Sequence, residues 1–198
     1  FSLQTGNSTS LSIVGNVNGL PDSEKLFLDI AANRIITTSS DINSFITLPE
    51  TINVPENIVL SGNFKGSPTT FEYKLYAGTN RGRVIALGSF YKMDSQKPGY
   101  KLAAKIDEFD LGFILKNDQL GNINIGANIS GEGFDPETMT AIYSLNSDTI
   151  TVNGYSYSNI EFTGNLNKGI VTTKGEIEDK NVQLDLIASL GLIKEKEF

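Results

Sequence analysis

The sequence predicts a mainly β fold laid out as an antiparallel meander, with one or two short helices. Three observations carry this. Apolar and polar residues alternate with period two through most of the 198 residues, the pattern of strands with one buried face. Turn chemistry separates the runs, at Asn18-Gly19, Pro98-Gly99, Asn153-Gly154 and Asn167-Lys168-Gly169. Only two short stretches break the alternation. Strand content above about 40% and helix below about 15% follow, far from the usual mixture.

The elements come in order along the chain. Strand-like runs lie near 11–19 and 26–32. Ser40–Ile46 starts with capping residue types and stops before Pro49, so it is expected to form a short helix. A run near 58–64 follows. Phe71, Tyr73, Leu75 and Ala77 then alternate with Glu72, Lys74 and Tyr76, and another run lies near 84–91. Tyr100, Leu102, Ala104 and Ile106 alternate with Lys101, Ala103 and Lys105. Asp110–Asn117 is the second expected helix, with Asp110 as its N-cap. Ile123, Ile125, Ala127 and Ile129 fall on one strand face, and Asn122, Asn124 and Asn128 on the other. Further runs lie near 139–145, 149–153, 160–166 and 169–177. Val182, Leu184, Leu186, Ala188 and Leu190 close the series.

The two helical stretches start roughly 70 residues apart, each between strands. Ile58–Gly66 follows the first and Ile123–Gly131 the second, and both are strands ending on glycine. Short strings of the same form stand at Gly15–Gly19 and Gly164–Gly169. Repeat units over 26–91 and 102–162 are therefore expected, with a C-terminal strand region at 163–192. The chain, 1–198, is read as a single fragment of a longer repetitive protein. It opens on Phe1, consistent with processing or trimming.

Composition narrows the chemistry. Sixteen basic against 23 acidic residues give a net charge of −7, which disfavours general nucleic-acid binding. The chain has no cysteine, so disulfides, thiolate metal sites and cysteine nucleophiles are excluded. It has no histidine, which removes the commonest general base and the usual hydrolase triads. No apolar run approaches the ~20 residues of a spanning helix. Carboxylates cluster at Asp107-Glu108-Phe109-Asp110, Asp135-Pro136-Glu137 and Glu176-Ile177-Glu178-Asp179. Each falls at a predicted strand end or turn, and solvated charge is the reading. Gly131-Glu132-Gly133 leads into Phe134-Asp135-Pro136 and not into a helix, so it is no phosphate loop. Tyr155 and Tyr157 share a face and suit either cross-strand packing or sugar stacking. No catalytic residue, metal ligand or cofactor is assigned, and the chain is read as not an enzyme.

Several strings in order resemble one family. They are Ser40–Ile46, Val54–Ile58, Leu60–Gly66, Phe109–Gly112, Leu115–Asp118, Leu120-Gly121, Gly131–Pro136 and Gly154–Asn159. Over about 25–190 the chain is similar to the C-terminal region of TamB proteins of Bacteroidetes-type bacteria, within the AsmA-like group. That resemblance implies a periplasmic part of a cell-envelope protein, anchored in the inner membrane in its full length. It implies repeated antiparallel sheet curled into an elongated trough, the β-taco, with an apolar interior. The implied function is phospholipid transport between inner and outer membrane, with outer-membrane protein assembly and secretion. The implied partners are phospholipid acyl chains, the rest of the full-length chain and an outer-membrane barrel of TamA type. No nucleic acid is implied, and no catalytic residue is carried over.

The alternation reaches the same mechanism from the residues. A sheet with one apolar face must cover that face or use it. Phe71, Tyr73, Leu75, Tyr100, Leu102, Ile106, Ile123, Ile125, Ala127 and Ile129 are the expected groove lining. Acyl chains bind such a lining without directed hydrogen bonds, at about 0.8 kcal/mol per buried methylene. The alternatives are a surface adhesin or carbohydrate-binding β-sandwich, in which those residues form a closed core, and a scaffold that pairs client strands through an exposed edge.

Overall fold

The structure is a computed structural model, and it describes residues 2–5, 8–47 and 49–192. Twelve antiparallel strands form one sheet in strict chain order. They are β1 (Ser2–Thr5), β2 (Thr9–Asn18), β3 (Phe27–Thr38), β4 (Asn57–Gly66), β5 (Phe71–Thr79), β6 (Gly82–Tyr91), β7 (Gly99–Asp110), β8 (Leu120–Glu132), β9 (Thr140–Val152), β10 (Tyr155–Asn167), β11 (Ile170–Glu178) and β12 (Gln183–Gly191). Strands hold 66% of the described structure, and the sheet is not closed into a barrel but curled as a trough. Two short helices interrupt it, α1 (Ser39–Phe45) after β3 and α2 (Leu111–Leu115) after β7.

Local chemistry sets these boundaries. Asn153 (φ 50°) and Gly154 (φ 75°) are both left-handed, as are Lys168 (φ 48°) and Gly169 (φ 79°). Two consecutive left-handed residues match the twist of the strands they join, so these two hairpins are tight. The α1 cap is Thr38, two residues earlier than the Ser40 start expected from sequence, and its hydroxyl accepts the Asp41 N–H. The Asp110 carboxylate accepts the Phe113 N–H and caps α2 as expected. This helix is shorter than 110–117, because Lys116 turns left-handed and the Asn117 N–H closes onto Gly112 O. The runs at 139–145 and 149–153 are one strand, β9, with a register shift where β8 passes from Asn124 to Ile125.

Register shifts also explain the curl. They occur at Asn33-Arg34 in β3 and Asp107-Glu108 in β7, close to the helix-bearing ends of the strands. Glu108 is left-handed there (φ 50°), and its N–H donates to Asn124 Oδ1. A bulge bends its strand and adds twist.

The odd-numbered strands end at one rim, which carries α1, the 79–82 turn, α2, the 153–154 turn and the 179–182 turn. The other rim carries hairpin loops at 67–70, 92–98 and 133–139. The segment after α1 runs along the first rim to α2. There the Asn53 N–H donates to Ile114 O and its Nδ2 to Phe113 O, both at 2.8 Å. Arg81 pairs with Asp110 at 2.9 Å and lies 4.1 Å over the Phe113 ring. Ile58 and Ile123 are among the few buried apolar side chains, at 9% and 6% exposure.

The stretch 26–91 holds β3, α1, β4, β5 and β6, and the next holds β7, α2, β8, β9 and β10 in the same order. The limits 102 and 162 fall inside β7 and β10. The region 163–192 holds the end of β10 with β11 and β12.

Candidate functional site

Register places side chains without ambiguity, because directly paired residues in an antiparallel sheet share a face. Tyr73 pairs with Gly88, Gly88 with Leu102, Leu102 with Ile129 and Ile129 with Tyr143. One level on, Leu75 is joined through Ala86 and Ala104 to Ala127, and Phe71 through Phe90 to Tyr100. Ile106 pairs with Ile125 and Phe109 with Ile123. All ten residues of the expected lining therefore stand on one face. The same face continues through Ile30 and Phe64 on one side and through Leu145, Phe162 and Leu186 on the other.

That face is neither sealed nor bare. Tyr100 and Ile123 are buried, at 3% and 6% exposure, while Leu75 is 38% exposed. The other seven are half-buried. The described strands pack against their neighbours within the one sheet, and no second sheet lies over this face. Its residues shelter one another sideways, from each strand to the next. The closed sandwich core, which needs a second sheet, is not the architecture.

An unforeseen pattern thins the lining. A Cβ on Gly88 would lie 2.2 Å from the Tyr73 ring, one on Gly175 2.3 Å from Phe162, and one on Gly164 2.6 Å from the Tyr143 hydroxyl. Each ring lies down over the glycine of the next strand instead of projecting away from the sheet. The glycine removes a side chain from the floor, and the ring restores apolar cover there. Near the hairpin rim the rings join up. Phe64, Phe71 and Phe90 stack at 5.0 Å intervals, and Phe134 stacks on Tyr100 at 5.4 Å. Phe64, Phe90, Phe134, Tyr143 and Phe162 were not singled out from the sequence as lining. An aromatic on one strand and a glycine on the next was the available signal, readable only once the register is known.

The opposite face is polar, and it carries a concavity. A depression of about 690 Å³ crosses β4–β9, with Glu72, Lys74, Lys101, Asn128 and Ser144 around Leu87 and Ala103. Lys65 pairs with Asp29 at 3.4 Å and Lys105 with Asp107 at 3.3 Å. These pairs are largely exposed and contribute little stability. Ile142 and Ile187 stand on this face, 64% and 81% exposed. Lys174 pairs with Glu176, and that carboxylate raises the lysine pKa.

Carboxylates at the helical rim act as fasteners. Asp41, Asp110 and Asp179 stand at equal chain intervals, four strands apart. Asp41 accepts the Thr9 hydroxyl at 2.6 Å and the Ser8 N–H at 3.2 Å. Asp179 accepts the Tyr155 hydroxyl, the Ser158 N–H and hydroxyl, and the Asn181 N–H. It is only 5% exposed, so it departs from the solvated turn charge read from sequence. The Tyr155 hydrogen bond, helped by the Asn181 and Ser158 donors, lowers its pKa to about 2. The same hydrogen bond raises the Tyr155 pKa. Tyr155 and Tyr157 meet edge to face at 4.7 Å, so one ring is tied down and the other packs on it. Among the described residues no group of three or more acidic side chains converges to hold a metal ion. No described helix is long and apolar enough to cross a membrane.

No protein-family model, no curated protein and no solved structure matches this chain.

Proposed function

We propose that this chain is a non-catalytic segment of a bacterial envelope protein whose trough carries lipid acyl chains. One observation supports this above the rest. An apolar face is continuous across the sheet, and among the described residues no second sheet covers it. Leaving that much apolar surface half-wet is unfavourable unless something occupies it. An acyl chain suits the site, because the lining offers contact area and few directed polar groups. Weak, similar contacts from strand to strand also suit movement along a path better than one deep pocket. A periplasmic location, phospholipid cargo and an outer-membrane barrel partner belong to this proposal through the TamB resemblance.

Native mass spectrometry of the purified chain tests it. Co-purified phospholipid is the expected result. Chains that carry no lipid, and that take up no fluorescent fatty acid when it is added, defeat the proposal.

The 690 Å³ depression on the polar face favours a second reading. Its amide, hydroxyl, carboxylate and ammonium groups around Leu87 and Ala103 offer a carbohydrate both hydrogen-bond partners and an apolar floor. A chain that binds glycans but no lipid would support this reading in place of the first.

A further inference from the structure

Tyr100 is 3% exposed, and its hydroxyl has no hydrogen-bond partner. Among the described residues it is the one buried side-chain polar atom left in that state. A hydroxyl buried without a partner keeps the full penalty of leaving water. Phenylalanine would give the same packing without that penalty, so the oxygen calls for a reason. Its surroundings make room for it. A Cβ on Gly131 would lie 2.8 Å from the Tyr100 oxygen, so the hydroxyl rests over a strand position with no side chain. The ring is covered by Phe134, stacked at 5.4 Å and nearly parallel at 13°. Phe134 is itself 52% exposed and belongs to the β8–β9 loop, not to a strand.

The position also matters. Tyr100 is the second residue of β7, at the hairpin rim, and Leu102, Ala104 and Ile106 lead away from it on the same face. The ladder occupies the neighbouring backbone groups, since Tyr100 pairs with Phe90 and Gly131. The phenol is thus a lone donor at the margin of an apolar floor. Burial pushes its pKa up, so it stays protonated near neutral pH. A ligand that matches must be apolar over most of its length and carry an acceptor oxygen near one end. The carbonyl of an acyl ester, at the junction of chain and headgroup, has that form.

We infer that Tyr100, uncovered when Phe134 swings aside, donates a hydrogen bond to the ester carbonyl of an acyl-ester lipid lying in the trough. The inference rests on the acyl-lipid reading above and adds to it the linkage chemistry and the gate.

The test compares two lipids that differ only there. Delipidated protein is offered equal amounts of a diacyl phosphatidylglycerol and its dialkyl ether analogue with matched chains, and native mass spectrometry reads the bound ratio. Wild type is expected to favour the ester about fivefold, the scale of one neutral hydrogen bond. Tyr100→Phe is expected to bring the ratio to about one while the melting temperature stays level or rises, because an unpaired hydroxyl is gone. Phe134→Ala is expected to keep the preference and load faster. Equal uptake of both lipids by wild type overturns the inference and leaves the acyl-lipid reading standing. So does a preference that survives Tyr100→Phe. A lower melting temperature in Tyr100→Phe with an unchanged ratio means a bound water satisfies the hydroxyl, and also overturns it. Uptake of neither lipid overturns the acyl-lipid reading and this inference together.

Discussion

Ile123 and Ile125 stand two residues apart on one face of β8, yet the structure predicts different responses to the same substitution. Ile123 is 6% exposed and pairs with Phe109, just before α2. Ile125 pairs with Ile106 and is half-buried on the apolar face. In Ile125→Asp the new carboxylate can reach water. The loss is mainly part of an isoleucine's burial, about 2 kcal/mol. For a chain of this size that lowers the melting temperature by about 6 °C. In Ile123→Asp the charge is placed at a buried position, 6% exposed, so about 4 kcal/mol or more is expected. Urea denaturation of both variants measures the difference, and a fluorescent fatty acid reports on the trough. Ile125→Asp should remain folded and bind the probe much more weakly than the parent. Equal destabilisation by the two substitutions would refute the open trough, since it would mean that Ile125 is covered as thoroughly as Ile123. A folded Ile125→Asp that binds the probe normally would show that this face is not where acyl chains sit.

Two further outcomes follow from the geometry. Gly88→Val puts a Cβ 2.2 Å from the Tyr73 ring, and overpacking should cost about 1–3 kcal/mol by thermal melting; restoring stability with a second change, Tyr73→Ala, would confirm that the ring is the obstacle, and no recovery would refute the ring-over-glycine account. Asp179 has its pKa lowered to about 2, so its contribution is fully present above the unfolded value of about 3.9 and is lost as pH falls through the folded value. Melting temperature should therefore drop between these two pH values more steeply in wild type than in Asp179→Asn, and parallel curves would remove Asp179 from the acid response.

The strand character of this chain and the two-sidedness of its strands were legible from residue order. Alternation such as Ile123-Asn124-Ile125 has no other economical backbone solution, and Asn153-Gly154 and Lys168-Gly169 encode their hairpins locally. Asp110 was readable as a cap for the same reason, since its partner is three residues away. Longer-range consequences were not readable. Asp179 looks like any turn carboxylate until β10 brings Tyr155 and Ser158 beside it. Phe134 sits in an unremarkable loop until that loop folds over Tyr100. Gly88, Gly164 and Gly175 reveal their purpose only through the aromatic on the adjacent strand. Alternation gives each strand its inner and outer side by local geometry alone. The alignment of those inner sides into one trough depends on the register of eleven strand pairings and on the bulges that bend the wall. Both are sums over contacts between residues distant in the chain, and only the tertiary structure carries them.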